Sequence, residues 1–182
     1  MDHLTKNGWR WLNEPTRWTG DTITADPETD FWRTTHYGYV HDNAHILGTD
    51  RTGDFELTVT FSADYQALYD QAGLGLWIDE RNWIKSGIEF VEDRQLLSAV
   101  VTRDVSDWSV IPLAEPAEKV TIKAAREGDA VTIHYGLNGS PPAEMLRLAY
   151  FPPAVSVLAG VMCASPTGKG FATRFEDITI QP

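Results

Sequence analysis

Strict alternation of apolar and polar side chains runs through most of the chain. Phe55, Leu57, Val59 and Phe61 interleave with Glu56, Thr58 and Thr60, and Val120, Ile122 and Ala124 with Lys119, Thr121 and Lys123. A period of two puts each apolar set on one face of a half-buried strand. Val131, Ile133 and Tyr135 repeat the pattern up to Asn138-Gly139, a strong hairpin-turn signal, and Leu146-Arg147-Leu148-Ala149-Tyr150 resumes beyond it. Near the end, Phe171, Thr173 and Phe175 oppose Ala172, Arg174 and Glu176. Turn signals recur at Asp26-Pro27, Thr52-Gly53-Asp54, Glu127-Gly128-Asp129 and Pro152-Pro153. No segment sustains a helical apolar period for three turns, although Tyr65 to Tyr69 would accommodate a short helical turn. Many short strands with frequent turns predict an all-β fold of two antiparallel sheets, with Phe55, Leu57, Val59, Leu74, Leu76, Ile84, Ile88, Val120, Ile122, Val131, Ile133 and Phe175 as its core.

One stretch departs from the ordinary pattern. Strand parity puts Gln71, Gly73, Gly75, Trp77 and Asp79 on one face, against Ala72, Leu74, Leu76 and Ile78. On the next strand Trp83, Lys85, Gly87 and Glu89 share a face opposite Ile84, Ser86, Ile88 and Phe90. Two indoles, an ammonium and a carboxylate are unusual on a solvated strand face, which favours Thr, Lys and Glu. Such a face offers aromatic platforms and paired donors and acceptors to a polar ring. The structural alternative is a Lys85–Glu89 ion pair with the tryptophans filling space.

The 182 residues, 42% apolar, suffice for one substantial core, so the expectation is a single domain over 1–182. A net charge of −11 argues against nucleic-acid and anionic-membrane partners. The lone Cys163 lies in an apolar run, which predicts a buried small hydrophobe. Neither an apolar leader nor a spanning segment is evident, which predicts a soluble, cytoplasmic protein.

Candidate chemistries can be weighed on spacing. His36, His41 and His45 with Asp42 invite a metal, but parity splits them between faces, and no Asp-x-Asp loop offers calcium a cage, so neither metal nor cofactor is expected. Glu89 and Asp93 are too far apart on one strand for a retaining glycosidase pair, and Glu92 faces away. A glycan-active enzyme would need Glu89 with Asp107 or Asp70 from neighbouring strands. Ser98, Thr102 and Ser109 lack a nucleophile elbow or paired histidine, so no catalytic residue is assigned. Ser106-Asp107-Trp108-Ser109 reads as a rim loop whose indole overhangs the sheet, and Arg103 and Arg126 read as ion-pair partners.

Glu14-Pro15, Thr29-Asp30-Phe31-Trp32-Arg33, Thr35-His36-Tyr37-Gly38, Asp42-Asn43, Tyr69-Asp70-Gln71-Ala72-Gly73-Leu74, Trp83-Ile84-Lys85, Ser106-Asp107-Trp108-Ser109, Ala164-Ser165-Pro166 and Gly170-Phe171 follow one another along nearly the whole chain. In these segments the sequence resembles the DUF1349, regulation-of-enolase-like proteins. The resemblance implies a concanavalin A-like lectin/glucanase sandwich, a jelly roll of two curved antiparallel sheets that often carries a carbohydrate site on its concave face. It also implies a metabolic enzyme as a partner. Residues and resemblance together predict a non-catalytic binding domain for a carbohydrate or sugar-derived metabolite, with Trp32, Tyr37, Gln71, Trp83, Lys85, Glu89 and Trp108 around one pocket.

Overall fold

The computed structural model describes residues 1–5 and 7–182. After a helical turn at Asp2–Thr5, the described chain folds into strands. The first sheet contains β1 (Arg10–Leu12), β6 (His45–Arg51), β8 (Gln71–Asp79), β9 (Asn82–Val91), β10 (Arg94–Arg103), β11 (Val105–Pro112) and β15 (Val157–Ala164), in the order β1-β6-β15-β8-β9-β10-β11. The second contains β2 (Arg17–Thr19), β3 (Thr22–Thr24), β7 (Phe55–Ala63), β12 (Val120–Glu127), β13 (Ala130–Leu137), β14 (Glu144–Tyr150) and β16 (Ala172–Gln181), in the order β14-β13-β12-β7-β16-β3-β2. A separate hairpin pairs β4 (Phe31–Arg33) with β5 (Val40–Asp42). All strand pairs are antiparallel.

The inner faces of the two sheets close on one core, and every side chain that alternation assigned to it is buried there. Turn chemistry sets the registers. Glu92 and Asp93 both adopt positive φ, 50° and 60°, in the two-residue connection that pairs Val91 with Arg94. Asn138 and Gly139 do the same at 51° and 87° after β13. That conformation matches the twist of the flanking strands, as type I′ hairpin turns require.

Parity on β8 and β9 is as the alternation predicts. Gln71 pairs with Glu89, Gly73 with Gly87, Gly75 with Lys85 and Trp77 with Trp83, all on the face turned away from the core. That outer face is not open. The β4–β5 hairpin lies across it, and Phe31, Trp32, Ala44, Ile46, Trp83, Val100, Leu158, Met162 and Ala164 form a second buried cluster. The Phe31 ring sits 4.8 Å from that of Trp77 and 5.4 Å from that of Trp83. Burial of these aromatic surfaces anchors the hairpin.

Three local readings are corrected. Ser106 to Ser109 belongs to edge strand β11, because Thr102 and Arg103 turn directly into Ser106 and Val105 through Asp104, which has a φ of 60°. Tyr65 to Tyr69 forms no helix, since the Asp70 carboxylate accepts the amide protons of Gln66 and Ala67 and holds a turn. Arg126 is buried and forms no ion pair among the described residues. It donates instead to the carbonyls of Val155 (3.0 Å) and Pro152 (2.6 Å), fixing the connection into β15, while desolvation lowers its pKa. Arg103 stacks over the Tyr150 ring at 4.4 Å. Cys163 is buried, and burial raises its thiol pKa.

Candidate functional site

The polar centre of the outer face is organised by Asp30, at the start of the hairpin. Its Oδ1 accepts from Lys85 Nζ (2.9 Å), Gln71 Nε2 (3.0 Å) and its neighbour's amide, Phe31 N (2.7 Å). Lys85 therefore pairs with Asp30 and not with Glu89, the partner expected if the face were merely structural. The pair is buried: the side chains are 4% and 12% exposed for Lys85 and Asp30. With both charges buried, loss of one partner would leave the other unpaired and desolvated, which is costly.

Glu89 occupies the adjoining position. Its Oε2 accepts from Ser98 Oγ (2.9 Å), and Ser98 Oγ in turn accepts from Trp108 Nε1 (3.0 Å). Among the described residues no hydrogen bond reaches the second Glu89 oxygen. Desolvation raises the Glu89 pKa, and the nearby Asp30 charge adds to it; the Lys85 charge, the Ser98 hydroxyl and the Trp108 indole pull it back only in part. A largely buried carboxyl group that lines a cavity and keeps one oxygen without a protein donor is the kind of group that binding sites use.

The expected site residues separate by depth. Trp32, Tyr37, Glu89 and Trp108 line one small cavity of about 20 Å³, together with Asp30, Tyr39 and Tyr69. Gln71 and Lys85 lie beside it on a crevice of about 10 Å³. Trp83 is brought onto the same face but sits deeper, sealed beneath Phe31 at 1% exposure. Outside the cavity a groove of about 490 Å³ runs past Glu28, His41, Asn43 and Thr167 and shares Asp30, Tyr39 and Tyr69 with it. The hydroxyls of Tyr37 and Tyr69 meet at 3.3 Å at the mouth. This contact, with desolvation, pushes the Tyr69 pKa up to about 12.

Of the ten non-glycine residues with positive φ among the described residues, three lie in the hairpin turn or at the cavity. Thr34, His36 and Tyr69 hold φ values of 59°, 64° and 67°. For a β-branched residue such as Thr34 this region is a genuine outlier, and strain of that kind gathers at ligand-contacting loops. Tyr37 stacks on Tyr39 at 5.5 Å, which places both rings half-exposed at the rim.

Asp30, Tyr39 and Tyr69 were missed by strand parity because they lie outside the two strands that carried it. The signal was available in Asp30-Phe31-Trp32, where an acid precedes two large aromatics. Neither acid named as a partner for Glu89 serves. Asp107 pairs across β10 with Val101, whose side chain packs into the inter-sheet core, so it faces the other way and meets Arg147 at 3.2 Å. Asp70 is fully buried and held by Ser165 Oγ (2.6 Å) and two amides. His45 is held by backbone: its Nε2 accepts from Asp26 N (3.0 Å), so the ring proton sits on Nδ1 and is donated to Asn13 O (2.6 Å). Among the described residues no cluster of three His, Cys, Asp or Glu side chains is placed to hold a metal ion, and no helix is long and apolar enough to cross a membrane.

The family model described as "Protein of unknown function (DUF1349)" matches residues 11–182. The chain belongs to that family. It is 33% identical to Regulation of enolase protein 1 of Saccharomyces cerevisiae over 171 residues, 92% of this chain and 86% of that one. An uncharacterised protein of Emericella nidulans is 31% identical over 158 residues, 82% of this chain and 78% of the relative. A crystal structure of a functionally unknown protein from Saccharomyces cerevisiae superposes with a TM-score of 0.90 at 31% identity, covering 96% of both chains. More distant structural neighbours, from outside the family match, share only the fold of two packed antiparallel sheets. They include the carbohydrate-binding module CBM66 of Bacillus subtilis, with a TM-score of 0.52 at 16% identity over 89% of this chain and 96% of that one. The GH43 protein BlXynB of Bacillus licheniformis has a TM-score of 0.64 at 13% identity, over 96% of this chain and 34% of the other.

Proposed function

We propose that this DUF1349 protein is a non-catalytic binding domain for a small polar ligand, a carbohydrate or sugar-derived metabolite, seated where the hairpin meets the outer sheet face. The observation carrying this reading is that the inner cavity and the 490 Å³ groove share three lining residues, Asp30, Tyr39 and Tyr69. Aromatic faces suit the C–H faces of a sugar ring, and the carboxylates accept its hydroxyls. Carbohydrate-binding domains among the distant fold neighbours are consistent with it. The ligand would enter at the rim, not across a wide groove, because Phe31 covers the centre of the face. Thermal-shift screening against monosaccharides and sugar phosphates tests the reading, because a ligand that binds only the folded state raises its melting temperature. Hits should be lost in Tyr69→Ala. A panel that leaves the melting temperature unmoved at millimolar concentration would overturn the assignment.

Two further readings each have an observation in their favour. A glycan-active enzyme gains from Asp30 lying in the same cavity as Glu89, the second carboxyl group that Asp107 and Asp70 do not supply. Release of reducing sugar from an oligosaccharide panel, lost in Glu89→Gln, is its test. A regulatory role toward a metabolic enzyme gains from the name of the yeast relative and from the exposed apolar side chains Val105, Leu148 and Tyr150. These border a cleft of about 620 Å³ between strands β11 and β14. Gel filtration with enolase would show a complex that Leu148→Asp disrupts.

A further inference from the structure

The cavity has a charge pattern that a neutral sugar does not explain. Two carboxyl groups, Asp30 and Glu89, line it, and no cationic side chain does; the Lys85 ammonium reaches Asp30 from the neighbouring crevice. All the hydrogen bonds to the Asp30 side chain arrive at Oδ1, which leaves Oδ2 without a donor among the described residues. Glu89, 7% exposed, likewise has one oxygen without a donor. The remaining walls are the aromatic rings of Trp32, Tyr37, Tyr39, Tyr69 and Trp108.

From this geometry we infer that the ligand carries a primary amine, which enters the inner cavity as an ammonium between Asp30 and Glu89 while its polar body lies in the outer groove. An ammonium supplies donors to both unpaired carboxyl oxygens, and it is attracted to the negative faces of the surrounding rings. Size selects the kind of amine. About 20 Å³ admits a group the size of one water molecule, which a primary ammonium matches and a quaternary ammonium exceeds. Desolvation already disfavours the Glu89 charge, and an arriving cation would stabilise it. Taken with the carbohydrate reading above, on which this step rests, the ligand class is an amino sugar with a free amine.

Calorimetric titration separates the two claims. Glucosamine should bind at least tenfold more tightly than glucose or N-acetylglucosamine, and tetramethylammonium should not compete. Glu89→Gln should remove that preference, leaving glucosamine and glucose equal. Tyr39→Ala alters only the half-exposed rim and should weaken glucosamine several-fold, with folding checked by circular dichroism. Equal binding of glucose and glucosamine to the wild type would overturn the amine inference while sparing the carbohydrate reading. Ethanolamine binding as tightly as glucosamine, with glucose inert, would support the amine site and overturn the sugar body. Silence from every probe would overturn both.

Discussion

Lys85 Nζ lies 2.9 Å from Asp30 Oδ1, joining residues 55 positions apart and tying the covering hairpin to the middle of the first sheet. Removal of one member of a buried pair leaves the other charged and unsolvated. Asp30→Ala should therefore lower unfolding free energy by about 3–5 kcal/mol, whereas the double replacement Asp30→Leu with Lys85→Met should recover most of that loss. Urea denaturation of both variants is the check; equal losses would mean that the pair contributes through shape and not charge.

Glu89→Gln is expected to stabilise the unliganded protein at neutral pH. The sign follows from burial: the folded-state pKa of Glu89 lies above its ordinary 4.5, so the folded chain holds this proton more tightly than the unfolded one. Stability attributable to Glu89 is then lost as pH rises from about 4.5 through the folded value, and ionised Glu89 is a liability above that window. Glutamine keeps an acceptor for Ser98 without the charge. Melting temperatures should be higher for the variant at pH 7 and converge with wild type near pH 4; a variant less stable at pH 7 would show the carboxylate to be a structural partner.

Phe31→Ala should open a cavity between Trp77 and Trp83. With Phe31 1% exposed, the loss should be about 3–5 kcal/mol. Because the neighbours are indoles, tryptophan fluorescence should shift to the red in the folded variant. An unchanged spectrum at unchanged stability would mean that the hairpin does not pack as described.

His45 gives the opposite pH signature from Glu89. Burial, the largest influence, depresses its pKa below the ordinary 6.5, even though the Asn13 carbonyl and Asp26 pull the other way. The unfolded chain therefore takes up this proton first on acidification. Stability from neutral His45 is present above pH 6.5 and is lost as pH falls from there through the folded value. His45→Ala should cost about 1–3 kcal/mol at pH 7.5 by orphaning Asp26 N and Asn13 O. It should also flatten the dependence between pH 6.5 and 5, which unfolding curves across that range would show.

How far the sequence could be read depended on where each signal lay. Regular strands betray their parity, so the common face of Gln71, Trp83, Lys85 and Glu89 and the burial of Leu74, Leu76 and Ile84 were legible from alternation alone. What covers that face was not. Phe31 and Trp32 belong to a three-residue strand, too short to show a period, and β5 beside it is exposed throughout. The charge partner of Lys85 was hidden for the same reason: Glu89 is its near neighbour on the strand, while Asp30 reaches it only through the tertiary path of the hairpin. Ser106 to Ser109 looked like a loop because Ser and Asp favour turns, but pairing with β10 overrides that preference.

The covering hairpin also makes the two sheets unequal in how freely their sequences can drift. β15 is buried at every position and β9 from Trp83 to Glu89, so a substitution on either face of these strands meets packed neighbours. β12 instead alternates buried and half-buried positions, and every second residue can vary against solvent. Among relatives, divergence should therefore accumulate on the outer face of the second sheet, while the first sheet and residues 30–32 change only together.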